Sequence, residues 1–187
     1  NKSNVMVVTE ELKFQITPSK FIDQERTLEC RVFHHAYAQI TLHKVLLTTL
    51  ERVVALWEAP AGNTITCGWI GEEYIIVATD AKEVICLQFD EMQSSDHFVE
   101  LEKKLMKAEV TCVMEYKHSI LIGTIDRSVI VCSVNRNVLE DRTPILLESI
   151  PRFVYSFCVV PQSNGQVVSS SDDCVLIGSD AGVLYYV

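Results

Sequence analysis

An all-β chain built from repeated short strands is what this sequence predicts, and three observations predict it. The first is the stretch Ser119 to Val134 (SILIGTIDRSVIVCSV), two Ile- and Val-rich runs parted by a break that holds Asp126 and Arg127. β-Branched side chains are already stiff at χ1 and suit a pleated surface, so the stretch reads as a hairpin. The second is that Tyr74 to Phe89 and Cys174 to Val187 share its layout: Ala78, Gly123 and Gly178 line up, each followed by Thr or Ser and, within three residues, by Asp. The third is an apolar run with a cysteine upstream of each hairpin, around Cys67, Cys112 and Cys158. Cys67 to Cys112 is 45 residues, Cys112 to Cys158 is 46 and Ala78 to Gly123 is 45, while Gly123 to Gly178 is 55, the excess falling in the polar loop Gln162 to Asp173. A period of about 40 to 50 residues made of short strands is the signature of a β-propeller with four-stranded blades.

The elements follow in order. Val5 to Val8 and Leu12 to Ile16 flank the turn Thr9-Glu10-Glu11 and predict a hairpin, after which Pro18 breaks the pattern. Thr27 to Phe33 is the next strand and His34-His35 its turn; Ala38 to Leu42 and Val45 to Thr49 form the following pair, and Arg52 to Leu56 completes that blade. One helix from Leu42 to Trp57 is the competing reading, but Thr41, Thr48, Thr49 and the Val and Ile content favour strands. Trp57 to Gly62 predicts an interblade loop, since Pro60 lacks a ladder donor and Gly62 allows positive φ. Beyond the first repeat hairpin, Glu91 to His97 is a polar loop and Phe98 to Leu105 an outer strand or a short helical turn. Asn135 to Thr143 is another polar break, Pro144 to Ile150 an outer strand, and Pro151 opens the last blade.

Composition bounds the rest. With 187 residues, 48% hydrophobic and 22% charged, the chain can bury a core. At about 45 residues per blade it holds roughly four blades, whereas propellers of this type commonly close with about seven. A single partial propeller domain over residues 1–187 is therefore expected. Seven cysteines, an odd number with no CxxC spacing, predict reduced core thiols of an intracellular protein. No run of 18 apolar residues exists, so no membrane partner is expected, and NKSNVMVV does not read as a signal peptide. The net charge of −9 argues against this segment gripping a nucleic-acid backbone, which needs clustered Lys and Arg; a protein partner is expected instead.

No catalytic constellation emerges. His34 and His35 are adjacent and would face opposite sides of an extended chain, a poor metal pair. Glu72-Glu73 and Asp172-Asp173 sit at turns, where carboxylates solvate backbone. Ser169 to Ser171 has neither a GxSxG elbow nor a base in reach, and the scattered glycines build no phosphate loop. No enzyme, cofactor, metal or small-molecule substrate is expected. Trp69 suits the core, whereas Trp57 suits either the core or a partner contact. The exposed rim turn Thr124, Ile125, Asp126 and Arg127 is the best-placed partner-binding segment, although it lacks an aromatic anchor and an ordinary solvated turn is the competing reading.

Several segments in one order carry a resemblance: FIDQERTLEC (21–30), LWEAP (56–60), the strands over 65–89, AEVTCV (108–113), IGTIDRSVIVCSV (122–134) and LIGSDAGVLYYV (176–187). Together they resemble the middle of the cleavage and polyadenylation specificity factor A family, and the absence of WD signatures favours it over WD40 proteins. The resemblance implies the central one of three propellers, docking the cullin scaffold of a ubiquitin ligase while substrate-receptor proteins are held by the other two. It implies rigid positioning rather than chemistry, and a nuclear location that can extend to the cytoplasm. Other members of the family serve splicing, pre-mRNA 3′-end processing or heterochromatin silencing.

Overall fold

The computed structural model describes residues 4–8, 14–18, 20, 24–89, 97–101, 103–116, 119–135, 138–141, 154–160, 174–179 and 184–186. All regular structure among them is β, in antiparallel sheets that follow chain order. β1 (Asn4–Val8) pairs with β2 (Phe14–Pro18), so Pro18 closes a strand rather than following one. Blade one is β3 (Thr27–Phe33), β4 (Ala36–Thr41), β5 (Lys44–Thr48) and β6 (Val53–Glu58). Blade two is β7 (Ile65–Ile70), β8 (Ile75–Thr79) and β9 (Glu83–Gln88), edged by β10 (Val99–Glu100) and β11 (Lys104–Leu105). Blade three is β12 (Val110–Tyr116), β13 (Ser119–Thr124), β14 (Val129–Asn135) and β15 (Val138–Asp141). β16 (Val154–Val160), β17 (Cys174–Ser179) and β18 (Leu184–Tyr186) form the described part of blade four.

The first strands converge: β3 packs on β7, β7 on β12, and β12 on β16. The middle strands are sandwiched between neighbouring blades, and their two faces serve different cores. In β8 and β9, Ile75, Val77, Ile85 and Leu87 join Ile40, Leu47 and Trp57 of blade one. Their alternates Ile76, Ala78, Val84 and Cys86 join Val113, Ile120 and Ile122 of blade three. β13 and β14 repeat the division, with Leu121 and Val129 facing Val154 and Ile177 of blade four. Because side chains alternate along a strand, a strand buried on both sides must be apolar without interruption, which is why IIVAT and VICL read as continuous runs.

Every first strand carries a bulge at its second residue, where the register shifts between Thr27 and Glu29, Ile65 and Cys67, Val110 and Cys112, and Val154 and Ser156. The residue after the bulge faces the small residue of the hairpin: Cys67 faces Ala78, Cys112 faces Gly123 and Ser156 faces Gly178. The smallness is steric. A Cβ on Gly123 would lie 2.6 Å from Cys112 Sγ and 2.7 Å from Val154 Cγ1. The structural counterpart of Cys67 and Cys112 is thus Ser156, not Cys158, which is exposed.

Other boundaries differ from the sequence reading for physical reasons. β6 continues through Trp57 and Glu58, and the interblade turn is confined to Ala61-Gly62, with Gly62 at φ 89°. The outer strand of blade two is neither a helical turn nor continuous: β10 and β11 each pair with β9, with Leu101 turned inward between them. Blade three closes with β15 inside the polar stretch 135–143, while the strand expected over 144–150 lies outside the described residues.

Hydrogen bonds between blades reinforce the packing. The Ile65 N–H donates to the Leu42 carbonyl at 2.7 Å, and the Thr111 hydroxyl donates to the Val154 carbonyl. The Trp57 Nε1–H donates to Glu100 Oε1 at 2.5 Å, and the Glu72 N–H to Glu115 Oε2 at 2.9 Å. Glu115 is half-buried, and that desolvation raises its pKa above the ordinary value although the Glu72 N–H opposes the rise.

Candidate interaction site

The turn between β13 and β14 is a closed unit. Thr124 ends β13 and is 1% exposed. Its hydroxyl donates to Asp126 Oδ1 at 2.5 Å and also lies 3.0 Å from the Ser128 carbonyl, while its N–H donates to that carbonyl at 3.1 Å. The Thr124 hydroxyl, helped by Ser128, holds the Asp126 carboxyl below its usual range against a smaller opposing effect of burial. The Arg127 N–H donates to the Thr124 carbonyl at 3.2 Å, and Arg127 sits in the left-handed region at φ 72°. Ile125 extends the ladder by donating its N–H to the Glu109 carbonyl at 2.9 Å.

Of the four residues predicted for partner contact, Ile125, Asp126 and Arg127 are therefore exposed, and Thr124 is buried as their support. The same rim continues past the sequence prediction. Lys82 occupies the matching place in the β8–β9 turn, at φ 62°, with its N–H on the Thr79 carbonyl at 2.9 Å. Leu105 is 74% exposed and the adjacent Met106 donates its N–H to the Lys82 carbonyl at 2.9 Å, which ties this edge to the turn. The mixed run FVELEKKL conceals Leu105, because alternation with charges disguises an apolar contact as a solvated strand.

The remaining candidates go elsewhere. His34 lies in the β3–β4 turn at φ 51°, edge-on to Phe33 at 4.5 Å. Among the described residues no group of three or more His, Cys, Asp or Glu could hold a metal ion. The Ser169–Ser171 and Asp172-Asp173 stretches lie outside the described residues. Trp57 is buried, which assigns it to the core. Trp69 is partly buried between two cores, with the Arg31 guanidinium 4.0 Å over its ring. Cys67, Cys86 and Cys112 have their pKa values pushed up to about 12 by burial, so they stay protonated and inert at neutral pH. Cys30 and Cys158, by contrast, are exposed among the described residues.

Over residues 1–187 the chain matches the family described as RSE1/DDB1/CPSF1 second beta-propeller. It belongs to that family. This second propeller is accordingly a β-propeller of a scaffold family. No curated protein matches it. The crystal structure of the computationally designed Ika4 protein superposes with a TM-score of 0.62 at 10% identity, covering 91% of this chain and 95% of the designed one. That likeness shows the fold alone.

Proposed function

We propose that this propeller is a noncatalytic docking scaffold of a cullin-linked ubiquitin ligase acting in DNA repair or chromatin silencing in the nucleus, with the cytoplasm as a second location. The observation that carries the reading is the family match along all of residues 1–187, which includes DDB1 in its description. In this reading the chain resembles the large subunit of the UV-damaged-DNA-binding complex. In this reading the propeller engages a cullin scaffold through the rim around Ile125 and Arg127 and holds substrate-receptor proteins at a fixed distance from the transfer module. Meshed blade cores suit that task, because close-packed interiors transmit position without yielding. A second reading has support in the same family description, which also includes RSE1 and CPSF1: a scaffold of the splicing or pre-mRNA 3′-end machinery.

The experiment is affinity purification of the full-length protein from nuclear extract with mass spectrometry of what co-elutes. Cullin and RING subunits are expected, together with their reduced recovery from Ile125→Ser and Arg127→Glu proteins. Splicing or polyadenylation subunits without cullin would replace the first reading with the second.

A further inference from the structure

On the rim, two exposed apolar side chains stand among basic ones. Leu105 is 74% exposed and Ile125 47%. The segment between them is pinned at both ends: Met106 donates to the Lys82 carbonyl and the Glu109 carbonyl accepts from Ile125. The four steps along the chain from Leu105 to Glu109 span at most roughly 14 Å, so both apolar groups fall within reach of one peptide. Lys82, Lys107 and Arg127 are exposed around them. The nearby aspartates turn onto the chain itself: Asp80 Oδ1 accepts from the Thr64 N–H at 2.9 Å, and Asp126 Oδ1 accepts from Thr124 and Ser128.

A second observation is independent of exposure. Lys82 and Arg127 both occupy the left-handed region, at φ 62° and 72°, three residues after the buried Thr79 and Thr124. Non-glycine residues are strained there. In the sequence of the third repeat the same position, three after Ser179, is Gly182. Glycine would relieve the strain in the first two repeats as well, yet both retain a long cation. The backbone that presents them is already fixed by the turn hydrogen bonds, so binding need not order these loops.

We propose that this face, with Leu105 and Ile125 at its centre and Lys82, Lys107 and Arg127 around them, docks a partner-protein segment that carries both acidic and apolar side chains. The proposal rests on the scaffold reading above and names the chemistry of its partner. A nucleic acid is the poorer occupant, because the centre of this face is the apolar pair Leu105 and Ile125, which a phosphate backbone has no apolar group to cover. So is a second copy, since chains of net charge −9 repel one another.

The test places a photoreactive amino acid at position 105 or 125 of the full-length protein in nuclear extract and sequences the cross-linked peptides. The expected product is a segment of a partner protein rich in Asp or Glu interspersed with apolar residues. Its yield is expected to fall at least tenfold in a Lys82→Gly, Arg127→Gly protein whose melting temperature is equal or higher. Cross-links to nucleic acid, to a second copy or to a basic segment would overturn the proposal, as would no cross-link or an unchanged yield in the double variant. An acidic and apolar segment from a protein other than a cullin would uphold this face and remove the cullin reading. Cullin co-purification without cross-links at either position would do the reverse.

Discussion

Thr79 and Thr124 occupy the same place in successive blades, both buried at the end of the second strand, yet their hydroxyls meet different fates. In blade three the turn aspartate stands two residues on, at position 126, where it accepts from Thr124. In blade two the aspartate is one residue on, at position 80, and turns to the Thr64 N–H instead. Among the described residues, Thr79 Oγ1 is the buried side-chain polar atom left without a hydrogen-bond partner. A buried hydroxyl without a bond costs about 1–3 kcal/mol of desolvation, and replacing it by a methyl of similar shape removes that cost. Thr79→Val is therefore expected to stabilise the fold by about 1 kcal/mol. Thr124→Val strips a charge-assisted bond and is expected to destabilise by about 1–2 kcal/mol. In urea, with a slope of about 1–3 kcal/mol per molar, the Thr79→Val midpoint should rise by roughly 0.3–1 M and the Thr124→Val midpoint fall by roughly 0.3–2 M at unchanged slope. If Thr79→Val lowers the midpoint as much as Thr124→Val does, the Thr79 hydroxyl has a partner and the reasoning fails.

Gly123→Ala forces a Cβ to within 2.6 Å of Cys112 Sγ and is expected to cost about 1–3 kcal/mol by overpacking; the companion Cys112→Ala should restore part of it, and a double-mutant cycle by denaturation reads the coupling. Glu115 has a raised pKa, so it favours folding when protonated and that contribution fades as pH rises through its raised value. Glu25, held low chiefly by the Thr41 hydroxyl that donates to its Oε2 at 2.8 Å, and Asp126 act with the opposite sign: their stabilisation is present above the unfolded carboxylate pKa and lost as pH falls through the folded one. Glu115→Gln keeps an acceptor for the Glu72 N–H, so it should raise stability at neutral pH and leave it little changed in acid, read as denaturation midpoints on both sides of the carboxylate range. Cys158 should alkylate in the native chain, Cys30 more slowly because partial burial and the neighbouring Glu29 raise its thiol pKa, and Cys67, Cys86 and Cys112 only on unfolding, resolved by peptide mass spectrometry.

The hairpins were legible because two of their strands are buried on both faces, which forces unbroken Ile and Val runs, and because Thr or Ser with a following Asp marks the turn. What could not be read was geometry that leaves no composition behind. The bulge recurs in every first strand, but in β16 the cysteine stands two residues beyond the position that follows it, so counting cysteines selects Cys158 where the fold uses Ser156. Trp57 looked like loop because Pro60 and Gly62 lie just beyond it, yet burial against blade two holds it in β6. The outer strands β10 and β11 are short and charged, since one side faces water, and so resemble breaks, and β15 is a short strand ending in Glu140 and Asp141. At the rim, Ile125 and Arg127 were legible as turn residues, whereas the strain at Lys82 and Arg127 and the exposure of Leu105 required coordinates.

The division of β8 and β9 between two cores makes each blade a gear tooth meshed on both flanks. A slip of one residue in such a hairpin would not merely expose one face; it would hand each neighbour the volumes intended for the other, with Leu87 pressed where Cys86 belongs. Insertions of one residue within these strands are therefore barred on both sides at once, while the turns and outer edges stay free to lengthen. Variation is channelled to the circumference, so such a wheel can change what it grips while its spokes keep their pitch.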